Sequence, residues 1–79
     1  IAAMTFEASA GGGMVKATAT GEMAITDITI DPAAVDPEDV EMLQDMVVAA
    51  VNEALRAASE AANARMNAVM GGMKIPGLM

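Results

Sequence analysis

The chain has 79 residues, one aromatic side chain, no cysteine and no histidine, and a net charge of -7 from four basic and eleven acidic residues. That length makes one small domain, and that composition excludes a disulfide framework, a zinc-ligand cluster and histidine acid–base chemistry. A lone Phe6 offers no stacking platform for single-stranded nucleic acid, and the acidic balance by itself opposes a polyanion.

The first residue is Ile1 rather than methionine, so we expect a preceding segment to be missing from this chain. Ile1-Ala2-Ala3-Met4 has neither the basic region nor the apolar block of a signal peptide. The longest strongly apolar run, Met46 to Val51, falls far short of the ~20 residues of a membrane span. Met4 to Ala8 alternates, with Met4, Phe6 and Ala8 on one side and Thr5 and Glu7 on the other, which predicts a short strand with one buried face. Ser9 to Gly13 is a hairpin loop; its glycines lack the Gly-Lys-Ser/Thr pattern and the helix start of a phosphate-cradling loop.

A second strand follows over Met14 to Thr20, with Val15, Ala17 and Ala19 inward and Lys16, Thr18 and Thr20 outward. Gly21-Glu22 predicts a type II′ turn with glycine first. Ala24 to Ile30 is a third strand, with Thr26, Ile28 and Ile30 on one face and Ile25, Asp27 and Thr29 on the other. Asp31-Pro32 ends it, because proline cannot donate to a ladder, and residues 32–35 form a connector of about one helical turn.

The longest element is an amphipathic helix over residues 37–70. Asp36 is the expected cap and Pro37 the first helical residue, with Glu38, Asp39 and Glu41 set against the positive end of the helix dipole. Val40, Leu43, Val47, Val51, Leu55, Ala58 and Ala62 lie on one stripe at ~100° per residue. Glu41, Asp45, Glu53, Arg56 and Glu60 lie opposite. Gly71-Gly72 is the expected exit, and residues 71–79 read as a flexible tail. The fold class is thus α+β: a three-stranded antiparallel meander over residues 4–30, then one long helix, in a single domain. At a rise of ~1.5 Å the helix would measure ~50 Å, about twice the ~24 Å of a seven-residue strand. Its stripe outruns the sheet, so we expect a homodimer or a packed upstream helix, with Leu43, Val47, Val51, Leu55, Ala58 and Ala62 in the core and dimer packing.

Chemistry-bearing constellations are sparse. Glu38, Glu41 and Asp45 share a helix face, but with no histidine or second carboxylate-bearing helix they are better read as a solvated face than as a metal site. Glu7 and Asp27 are carboxylates without a nucleophile or pocket, so no catalytic site is predicted, and no metal, cofactor or small-molecule substrate. The cations Lys16, Arg56, Arg65 and Lys74 are candidate phosphate contacts, with Arg65 and Lys74 near the far end of the helix.

Several segments together resemble the YbaB/EbfC family of bacterial nucleoid-associated proteins. They are Ser9-Ala-Gly-Gly-Gly-Met-Val-Lys16, Ile28-Thr-Ile-Asp-Pro32, Asp36 to Leu43, Val48-Ala-Ala-Val-Asn-Glu-Ala-Leu-Arg56, and the closing Met-Gly-Gly-Met run with its Pro-Gly tail. The resemblance implies a homodimer whose sheets join and whose helices project as a tweezer-like pair. It implies a cytoplasmic, nucleoid-located protein that binds DNA with little sequence preference, through Lys16, Arg56, Arg65 and, more loosely, Lys74. It also implies a further helix before Ile1. Thr26, Asp27 and Thr29 stand where members often carry basic residues, and Ala57 where a second basic residue is common. A dimeric scaffold protein with weak or no DNA binding is the alternative.

Overall fold

The computed structural model describes residues 4–72. Three antiparallel strands, β1 (Thr5–Ala10), β2 (Val15–Thr20) and β3 (Ile25–Ile30), form one sheet in the order β1-β2-β3. A 3-10 turn (Pro32–Ala34) leads into a single helix, α1 (Val40–Gly72). The fold is the α+β arrangement expected from the sequence.

Two hairpins build the sheet, and each has a backbone reason. Between β1 and β2, Gly11, Gly12 and Gly13 all have positive φ. Only glycine adopts three such residues in succession at low cost. Between β2 and β3 the loop is Gly21-Glu22-Met23, and the left-handed residue is Met23, at φ 66°. The Met23 N–H donates to Thr20 O (3.0 Å), and the Thr20 N–H donates to Ala24 O (2.8 Å). That is a three-residue hairpin with its left-handed residue last, not the two-residue turn led by Gly21. The Thr20 hydroxyl favours it by accepting from the Glu22 and Ala24 N–H groups at 3.2 and 3.4 Å.

The β2–β3 register corrects the predicted faces of β3. Val15 pairs with Ile30, Ala17 with Ile28 and Thr18 with Asp27, but Ala19 pairs with Ile25. Thr26 is the extra residue of a bulge. The bulge brings Ile25 to the same face as Ile28 and Ile30, and Ile25 packs against the core instead of facing outward with Asp27.

The core lies between β2 and α1 and is made of small side chains. Val15, Ala17 and Ala19 of β2 meet Ala50, Ala54 and Ala58 of α1, all at most 1% exposed. Alanines four residues apart form a flat seam on which the sheet sits closely. Leu43, Val47, Val51 and Leu55 flank it and are only partly buried, as are Phe6, Ala8 and Ala10 of β1. Ala62, one turn beyond the seam, is half-buried. The helix rests on β1 and β2 and leaves β3 to one side. Ile28 and Ile30 therefore face the helix side of the sheet yet remain 39% and 37% exposed.

Both ends of the helix differ from expectation. Asp36 does not cap it. Asp36, Pro37, Glu38 and Asp39 form a preceding turn, closed by the Asp39 N–H donating to Asp36 O (2.9 Å) and the Glu38 N–H to Asp36 Oδ1 (2.9 Å). Aspartate first and proline second suit such a turn. The cap is Asp39, whose Oδ1 accepts from the Met42 N–H at 3.1 Å. At the other end Gly71 and Gly72 are helical. Glycine costs a helix ~1 kcal/mol relative to alanine, which weakens a helix without forbidding it. The predicted tail beyond Gly72, with Lys74, lies outside the described residues.

Candidate nucleic-acid interface

The candidate cations fall on different faces. Lys16 stands on the outer face of the sheet, away from the helix, in a row with Ser9 and Thr29. The neighbouring row is Glu7, Thr18 and Asp27, so the face is polar with carboxylates beside its one lysine.

Arg56 lies on the solvent side of α1 between two glutamates of adjacent turns. Its guanidinium donates to Glu53 at 2.6, 2.9 and 3.1 Å and forms a second ion pair with Glu60. Spacings of three and four residues place all three side chains on one ridge. Hydrogen bonding to Arg56 holds the Glu53 carboxyl below its ordinary range, against a smaller opposing effect of desolvation. The same hydrogen bond, with the charges of Glu53 and Glu60, holds Arg56 still more firmly protonated. One positive charge thus sits between two negative ones, and the ridge is net anionic.

Arg65 is exposed, seven residues beyond Ala58, the last fully buried residue of the seam. At ~100° per residue, seven residues return to nearly the same side of the helix. Arg65 therefore continues the seam face past the end of the sheet. Nine residues separate Arg56 and Arg65, which is about half a turn out of phase, so the two arginines point to opposite sides. Among the described residues a single copy brings no two of these cations together. Among the described residues the salt bridges are those of Arg56 alone.

A cleft of about 460 Å³ opens at the other end of the molecule, between the β1–β2 loop and the first turns of α1. Its lining includes Ala10, Gly11, Met42 and Met46 together with Asp39, Glu41 and Asp45. The Met46 Sδ lies directly over Gly11, where a β-carbon would collide with it. Among the described residues no group of three acidic, histidine or cysteine side chains could hold a metal ion, and no helix is long and apolar enough to cross a membrane.

The match to known proteins covers almost all of this architecture. Residues 1–73 match the model of the YbaB/EbfC DNA-binding family. The chain belongs to that family.

A nucleoid-associated protein of Moorella thermoacetica is 58% identical over 73 residues, covering 92% of this chain and 70% of that protein. One from Acetivibrio thermocellus is 59% identical over 75 residues, covering 94% of this chain and 66% of its own length. A crystal structure of an uncharacterized protein from Helicobacter pylori, 26% identical, superposes with a TM-score of 0.72 over 82% of this chain and 75% of that one. The segments quoted above, from the Gly11-Gly12-Gly13 loop to Arg56, all fall inside the family match. The ion-paired state of Arg56 was missed by sequence reasoning, although Glu53 and Glu60 at helical spacing were its signal.

Proposed function

We propose that this protein is a non-enzymatic DNA-binding homodimer of the bacterial nucleoid, located in the cytoplasm. The reading rests on one observation above the rest: residues 1–73 carry the pattern of a DNA-binding family whose relatives are named nucleoid-associated proteins. Contacts run mainly to phosphates, since no base-reading helix motif is visible among the described residues. Sequence preference is accordingly weak.

Two features of the fold support the dimer. Ile28 and Ile30 are uncovered at the side of the sheet, and the free edge of β3 can accept another strand. A second copy placed there joins the sheets and hides both isoleucines. The free ends of the two helices then form paired arms, each with Arg65 on its seam face. Arg65 is the principal phosphate contact, Lys16 and Lys74 are auxiliary, and Arg56 contributes least because its carboxylate partners must first be displaced.

A salt series of gel shifts on the full-length protein tests this. Affinity should fall steeply between low and moderate salt, as counterion release requires. Arg65→Ala should weaken binding more than Arg56→Ala, without loss of helix. The net charge of -7 and the occupied Arg56 favour a second reading, a dimeric scaffold that meets other proteins and binds DNA weakly or not at all. Absence of binding by full-length protein at low salt would select it.

A further inference from the structure

The cleft at the start of α1 is unused by the function proposed above. Part of its lining is apolar and adaptable, because Met42 and Met46 are unbranched thioethers. The same lining carries Asp39, Glu41 and Asp45. Lys16 is on the outer sheet face, Arg56 is held by Glu53 and Glu60, and Arg65 is near the far end of the rod, so no described cation answers these carboxylates. The complementary ligand is an apolar segment with one cation and no acid. Residues 73–79 of this chain, Met-Lys-Ile-Pro-Gly-Leu-Met, have that composition.

Reach decides which copy supplies it. From Met46 to Gly72 the helix runs 26 residues, or ~39 Å at ~1.5 Å each. Seven residues extend at most ~25 Å. The segment cannot return to the cleft of its own chain.

We propose that the cleft receives residues 73–79 of another copy, with Lys74 beside the Asp45 carboxylate and Ile75 against Met42 and Met46. The contact is heterologous: the far end of one molecule meets the near end of the next. Such contacts form a ring where the rotation between copies closes and an open chain where it does not, so in either case they add copies beyond a dimer. The lining of the cleft includes no residue of β3, so this contact and a dimer through β3 use different surfaces.

A charge swap on the full chain tests it in the absence of DNA. Sedimentation velocity should show species larger than the dimer growing with concentration. Asp45→Lys alone and Lys74→Glu alone should each raise the concentration needed by at least about tenfold, and the double variant should recover the wild-type profile. A capped synthetic peptide of residues 72–79, titrated into the full chain, should shift the amide resonances of Gly11, Met42 and Asp45; its Lys74→Glu form should not. Circular dichroism confirms that each variant stays folded. No species above the dimer at millimolar protein, no recovery in the double variant, or peptide shifts away from the cleft would each overturn the proposal. Salt-dependent DNA binding by wild-type dimer would survive any of these results, so the two readings fail separately.

Discussion

Met23 and Arg56 are side chains held in states that neighbouring residues impose. Met23 is left-handed because a three-residue hairpin demands it, and a non-glycine residue there costs roughly 1–2 kcal/mol. Met23→Gly should therefore stabilise the fold by about 0.5–1 kcal/mol, after allowing for the extra freedom glycine has when unfolded. Chemical denaturation checks this, and an unchanged midpoint would remove the strain argument. Arg56 is the converse, a cation whose partners satisfy it too well. Glu60→Gln should release part of its charge and tighten DNA binding by full-length protein, which a direct titration measures. Arg56→Ala should in turn raise the Glu53 pKa, followed by carboxyl NMR. The Glu53 value is depressed in the fold, so its contribution to stability is complete above the ordinary glutamate range. It is lost as pH falls through the depressed value.

Between sheet and helix the decisive residues are the smallest ones. Ala50, Ala54 and Ala58 set how closely α1 lies on β2, and they are more buried than the leucines and valines beside them. Ala54→Leu should lift the helix and cost about 1–3 kcal/mol by overpacking. Val47→Ala, at a half-buried position, should cost only ~1 kcal/mol. Thermal melts of the pair give the order, and the reverse order would place the core elsewhere. The periodicity of residues 40–62 made the helix and its face legible, and alternation made β1 and β2 legible. What stayed hidden was local. Period-two alternation cannot reveal the bulge at Thr26, which moves Ile25 across the sheet. Two aspartates three residues apart compete for one cap, and Pro37 decides in favour of Asp39 by suiting the earlier turn. The separation of Lys16, Arg56 and Arg65 was legible too, from strand alternation and helical phase; the hold of Glu53 and Glu60 on Arg56 needed the side-chain geometry.

A molecule 61 Å long, with a core at one side of a three-stranded sheet, leaves apolar surface to be hidden elsewhere. Ile28 and Ile30 are the clearest case. The double substitution Ile28→Lys, Ile30→Lys should give a monomer by light scattering while keeping the helical signal. A persistent dimer would move the interface off β3. If the dimer forms there, the melting temperature of the wild type rises with protein concentration, as mass action requires. The same substitutions should then flatten that dependence.

The alanine seam also shapes how stability responds to temperature. Heat capacity rises on unfolding mainly because apolar surface meets water. Alanine offers little of it, and the six fully buried residues between helix and sheet are alanines but for Val15. Each subunit should therefore unfold with a heat-capacity increment below the usual ~12 cal/mol/K per residue. Its stability curve should be correspondingly broad and shallow, changing little between cold and warm growth conditions.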